Sequence, residues 1–110
     1  MDQRVLRVVD ASANRAREAL RVMEDLARFV LADGELSARI KGLRHRVREG
    51  LEALGADPAA LIAWRDTPGD PGTSNKAARE GERAGVREVA AASAKRAGEA
   101  LRSLEECAKI

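Results

Sequence analysis

Apolar positions between residues 11 and 31 recur at alternating steps of three and four: Ala13, Ala16, Leu20, Met23, Ala27 and Val30. That spacing lines one face of a 3.6-residue helix. It predicts a helix over about Ala11–Leu31. Asp10 or Ser12 stands where a side-chain oxygen would cap the first unpaired N–H groups. Ahead of it, Val5, Val8 and Val9 suit either an extended lead-in or an extension of the same helix. Leu36, Ile40, Leu43, Val47, Leu51 and Leu54 repeat the pattern and predict a buried face on a second helix, about Glu35–Leu54. Its entry is an Ala32-Asp33-Gly34 turn in which Gly34 takes the backbone conformation that Cβ-bearing residues resist. Gly55 is the expected left-handed cap at its end.

Pro58 then opens a short helix, since proline at a first helical position loses no hydrogen bond. Ala59, Leu61, Ile62 and Trp64 are its expected core contacts. Two prolines and two glycines forbid a continuous helix or strand through Arg65-Asp-Thr-Pro-Gly-Asp-Pro-Gly-Thr73. Asn75–Arg83 reads as a polar helical turn interrupted by Gly81 and Gly85. Ala94, Ala97, Leu101, Leu104 and Ala108 mark a last helix over about Val86–Ile110. It ends with no capping glycine or proline, the pattern expected of a piece of a longer protein. Alternating strand patterns are lacking, so the expected fold is all-α. It is a compact bundle of about four main helices forming a single helical domain over residues 1–110.

The first and last helices are copies. Shifted by 81 positions, Val8–Phe29 lies over Val89–Ile110 with twelve of 22 residues identical. Such repeats are sought first because they constrain the whole architecture. Two copies are too few for a solenoid and point to two equivalent helices around one centre. The seam is rich in alanine, which permits close approach. Charge is repeated too: Arg15, Glu18, Arg21 and Glu24 recur as Arg96, Glu99, Arg102 and Glu105. Pairs such as Glu18–Arg21 and Glu99–Arg102 would stabilise a helix surface by only ~0.2–0.5 kcal/mol each.

Composition narrows the function classes. At 110 residues the chain is one domain, with 45% hydrophobic and 35% charged residues and only two aromatics, Phe29 and Trp64. Sixteen of the twenty basic residues are arginine, interleaved with acids to a net charge of +2. That favours local capture of anions by guanidinium forks over a basic stripe for nucleic acid. No apolar run is long enough to span a membrane, and the start lacks a signal-peptide core. The lone Cys107 cannot form an internal disulfide, so a cytoplasmic location is expected.

The richest local chemistry is the Arg65–Thr73 loop. Asp66 and Asp70 offer carboxylates to Mg2+, while Thr67, Thr73 and the glycine N–H groups suit phosphate oxygens. His45, between Arg44 and Arg46, is the only histidine and completes neither a metal cluster nor a nucleophilic triad. Neither a Gly-rich loop ending in Lys-Ser/Thr nor a Gly-x-Gly-x-x-Gly run is present.

Four ordered segments carry a resemblance: Asp10–Phe29, Leu43-Arg-His45, Arg65–Thr73 and Lys95–Glu106. Together they resemble the small monofunctional hydroxymethylpyrimidine phosphate kinases, which occur alone or fused ahead of thiamine phosphate synthase. The likeness runs over nearly the whole chain. Gly98 departs from it, standing where the first copy has Arg17. The resemblance implies ATP- and Mg2+-dependent phosphorylation of a phosphorylated pyrimidine to its diphosphate in thiamine biosynthesis. It implies Arg65, Asp66, Arg21 and Arg102 as catalytic residues. Asn14, Arg15, Glu18, Thr67, Asp70, Gly72, Thr73, Arg96 and Glu99 would bind substrate, and Asp66 and Asp70 would hold the metal. Thiamine phosphate synthase, fused or associated, is the implied partner, and the copied helices allow pairing within one chain or between copies in a homo-oligomer. The alternative expectation is a non-catalytic helical domain accessory to a thiamine phosphate synthase.

Overall fold

The structure is a computed structural model and describes residues 2–56, 58–74 and 83–110. It is all-α, with no strand among the described residues. The helices are α1 (Gln3–Asp25), α2 (Gly34–Ala53), α3 (Pro58–Ala63) and α4 (Val86–Ala108). A π-turn, Leu26–Val30, extends α1, and a 3-10 turn, Pro71–Ser74, follows the loop after α3. The expected Asn75–Arg83 turn falls largely on residues 75–82, outside the described residues; Arg83 itself is not helical.

α1 is the centre. It packs most extensively on α4, then on α2, and also touches α3, whereas α2 and α4 share little with each other. Val9 and Ala13, near its start, lie in a core with Leu51, Ala56 and Leu61, against which Leu104 and Cys107 pack. Ala19, Leu20 and Ala27, towards its end, lie in a second core with Ile40 and Ala97. The start of α1 therefore meets the ends of α2 and α4, and both run antiparallel to it. Of the twelve buried apolar residues among those described, seven are alanine. Close approach of backbones, rather than bulk, holds this core, because dispersion falls off steeply with any gap.

Several expectations change. α1 starts at Gln3, so residues 3–9 extend the helix rather than lead into it. Its cap is Asp2, whose carboxylate accepts the Arg4 N–H at 2.7 Å. Asp10 and Ser12 are not caps; both are buried inside the helix. The Arg4 N–H and guanidinium, donating to Asp2, hold its carboxyl below the usual carboxylate range. The left-handed residue before α2 is Ala32, at φ 51°, not Gly34, which is already helical. Asp33 caps α2 by accepting the Leu36 N–H at 2.9 Å. Val30 leaves the seam because the wider π-turn rotates the chain after Ala27, exposing Phe29, Val30 and Leu31. The Arg28 guanidinium covers the Phe29 ring at 4.7 Å. On α2 only Ile40 and Leu51 are fully buried, and Leu36 and Leu43 face outward. On α3, Leu61 is buried but Ala59, Ile62 and Trp64 are exposed.

Gly55 behaves as expected, at φ 76°. Its N–H donates to the Glu52 carbonyl and the Ala56 N–H to the Leu51 carbonyl, both at 3.0 Å, which satisfies the last carbonyls of α2. One long-range ion pair ties α2 to α1. Arg44 donates from Nε and Nη2 to Oε2 of buried Glu24, at 3.0 and 2.9 Å. His45, beside it, is exposed.

Three substitutions check this account by thermal and denaturant unfolding. Ala32→Gly relieves the left-handed strain and is expected to stabilise by about 0.5–1 kcal/mol. Gly55→Ala imposes the same strain and is expected to destabilise by about 1–2 kcal/mol. Arg44→Ala strands the Glu24 carboxylate and is expected to cost roughly 2–3 kcal/mol, somewhat below a fully buried pair. Most of that loss should return in the Glu24→Leu, Arg44→Met double variant.

Candidate functional site

The two repeats meet in a groove of about 710 Å3, lined by Arg15, Glu18, Ala19 and Val22 of α1 and Ser93, Arg96, Glu99, Ala100 and Ser103 of α4. Four pairs of sequence-equivalent positions line it: Arg15 and Arg96, Glu18 and Glu99, Ala19 and Ala100, Val22 and Ser103. Because the helices are antiparallel, this amounts to a two-fold axis within one chain. Small residues make its floor. Ser93, like its equivalent Ser12 on the opposite helix, is buried in the seam. Among the described residues no buried side-chain nitrogen or oxygen lacks a partner.

A second groove, about 650 Å3, adjoins the first and shares Arg15 and Ser103 with it. It runs from Arg4, Arg7, Asp10 and Asn14 on α1 to Arg65, Asp66, Thr67 and Asp70 in the loop after α3. Both volumes fall in the range that holds small ligands, roughly 300–1000 Å3.

The loop is held to α1 by one strong contact. Arg65 donates from Nε to Asp10 Oδ2 and from Nη2 to Asp10 Oδ1, each at 2.8 Å. This forked pairing fixes the guanidinium plane. Asp10 is buried and Arg65 half-exposed, so the guanidinium edge not bonded to Asp10 remains open to solvent. Hydrogen bonding to Asp10, and then its charge, raise the Arg65 pKa, so Arg65 stays cationic at any working pH. Asn14 donates to Asp10 Oδ1 at 3.4 Å and accepts from Arg17 Nη2 at 2.6 Å, extending the network.

Within the loop, the carboxylates shape turns. Asp66 Oδ1 accepts the Gly69 N–H at 2.9 Å, and a Cβ on Gly69 would collide with that carboxylate. Asp70 Oδ1 accepts the Gly72 N–H at 2.8 Å, while the Thr73 hydroxyl donates to the Asp70 carbonyl at 3.0 Å. Among the described residues, no three His, Cys, Asp or Glu side chains gather in a metal-binding group.

The structure thus brings Arg15, Glu18, Arg96 and Glu99 together in one groove, and Asn14, Arg15, Arg65, Asp66, Thr67 and Asp70 in the next. Gly72 and Thr73 sit in the 3-10 turn and line neither. Arg21 and Arg102 also lie outside both. Arg21 faces Asp25 at 3.7 Å, and Arg102 faces Glu105 and Glu106 at 2.8 and 2.9 Å on the outer side of α4. The basic members therefore find acids on their own helices, and not the Glu18 and Glu99 expected from spacing. Asp10 is the residue that reading by periodicity missed as a site group. Its signal was an acid at a position where the other repeat has Ala91, flanked by core residues Val9 and Ala13. A carboxylate on an apolar stripe requires a partner.

Comparison with known proteins places the chain. Residues 7–110 match the ThiD2 family. The chain belongs to the ThiD2 family. This ThiD2 domain is 46% identical over 105 residues to a thiamine-phosphate synthase of Rhodopirellula baltica, covering 96% of the chain and 28% of that protein. It is 41% identical over 110 residues to one of Nostoc punctiforme and 43% over 110 to one of Gloeobacter violaceus, covering 30% of each. The ThiD2 domain thus spans about three-tenths of the length of these curated relatives, whose names tie the family to thiamine biosynthesis. No solved structure matches it. Among the described residues no helix is long and apolar enough to cross a membrane.

If the two grooves form one anion site, Arg15 serves both. Arg15→Ala is expected to weaken inorganic pyrophosphate binding, measured by calorimetry, at least about tenfold, the order of a charge-assisted contact. Arg21→Ala, outside both grooves, should leave it within about twofold by the same reasoning. Equal losses would dissociate the grooves from anion binding.

Proposed function

We propose that this domain acts in thiamine biosynthesis by binding a phosphorylated pyrimidine across the two grooves and transferring to it the γ-phosphoryl group of ATP. The observation that carries this reading is the convergence of Arg15, Arg96 and the Asp10-clamped Arg65 on adjoining grooves whose described lining has serine and threonine hydroxyls but no cysteine or histidine. Transfer between phosphates needs no protein nucleophile. An anionic oxygen of the acceptor phosphate attacks the γ-phosphorus, the bond to the β-bridging oxygen breaks, and ADP leaves with that electron pair. No proton has to be moved by the protein. Arginines supply the remaining requirement, which is to align two polyanions and offset their repulsion.

Mg2+ fits the loop in a limited way. Asp66 and Asp70 each spend one oxygen on a turn N–H. Together they offer the one or two carboxylates that Mg2+ takes when phosphates and water complete its shell. A metal held there would neutralise phosphate charge. Asp10, holding one edge of the Arg65 guanidinium, would keep the other edge directed at the same phosphates, and Thr67 would donate to an oxygen.

A second reading has its own support. The relatives are named thiamine-phosphate synthase and are more than three times as long as the matched region. By names and lengths the comparisons favour a helical domain accessory to such a synthase, holding the pyrimidine phosphate without transferring a group. The two readings share the site and differ in turnover.

ADP release decides between them, measured with Mg–ATP and hydroxymethylpyrimidine phosphate, with controls lacking the pyrimidine or its phosphate. Turnover confined to the phosphorylated pyrimidine is the expected result. Arg65→Ala or Asp66→Ala should then abolish it with helicity nearly unchanged. Thermal stabilisation by the pyrimidine phosphate without turnover would instead support the accessory role, since any ligand of the folded state raises its stability.

A further inference from the structure

The internal repeat leaves one helix face without its counterpart. On α1, Ala13, Leu20 and Ala27 are buried, Ala13 in a core with Leu51 of α2 and the other two in a core with Ile40 of α2. Their equivalents on α4 are Ala94, Leu101 and Ala108, and all three are exposed, Leu101 by 42%. Among the described residues α4 packs extensively on α1 alone. It therefore presents to solvent the surface that its own duplicate covers.

We propose that a second copy of this chain covers that face, α4 packing antiparallel against α4 across a two-fold axis near Arg96. The face is complementary to itself in that direction. Reading along it, Arg87, Ala91, Ala94, Gly98, Leu101 and Glu105 share one side of the helix. Antiparallel pairing sets Ala94 against Gly98 at the centre, where small residues allow close backbones. Ala91 then receives Leu101, and Arg87 meets Glu105. Each contact occurs twice, as an isologous interface requires. Parallel pairing would set Arg87 on Arg87 and Glu105 on Glu105.

Sedimentation of the whole chain over a wide concentration range tests this. The expected species is a dimer of twice 11.8 kDa. Leu101→Glu places a carboxylate in the interface and should weaken dimerisation on the order of a hundredfold while leaving the circular dichroism helical. Glu105→Arg alone should also weaken it, and adding Arg87→Glu in the same chain should restore it. Two results overturn the proposal: a monomer at every concentration, or a dimer whose affinity ignores both Leu101→Glu and the charge swap. The first would give the face to another segment of a longer polypeptide.

Discussion

Two helices approach only as closely as the side chains between them permit, and the α1–α4 contact sets that limit with alanine and serine. Ala16, Ala19, Ala97, Ala100, Ser12 and Ser93 are all buried. None occupies much volume, so the backbones come together and the longer side chains at the edges of the contact stand out as walls. The groove between Arg15 and Arg96 exists because the seam beneath it is thin. Larger residues at these positions would force the helices apart and separate the arginines by the same movement. Packing and site are one constraint here.

The fold class was legible because helical periodicity is a local signal. The existence of α1, α2, α3 and α4, and the Gly55 cap, followed from spacing and backbone chemistry alone. Facing was less legible. Ala94 and Leu101 have the same sequence pattern as Ala13 and Leu20, yet are exposed, because α2 lies on α1 and none of the described elements lies equivalently on α4. Periodicity states which residues can share a face, not whether a partner covers it. The π-turn at Leu26–Val30 was hidden for a similar reason, since its extra residue per turn is decided by the tertiary path into α2.

The site divides along the same line. The repeated Arg15, Glu18, Arg96 and Glu99 and the loop acids could be named from the sequence, and the structure gathers them. Arg21 and Arg102 belong to the same repeat but point around the helix to acids three or four residues away. Repetition reports equivalence of position and not participation. Asp10 shows the converse. It breaks the repeat, and that irregularity is where the Arg65 loop attaches.

A groove with two-fold symmetry has a problem of direction. Any ligand bound to equivalent walls can enter either way round with equal energy, and half of the bound molecules would then present the wrong end. The Arg65 loop docks on one repeat alone, through Asp10, which has Ala91 as its counterpart, and beside Asn14, which has Lys95. That attachment, together with the replacement of Val22 by Ser103 in the second copy, gives an otherwise ambidextrous cleft a head and a tail. Duplication supplies the cleft, and the positions left unduplicated supply its polarity.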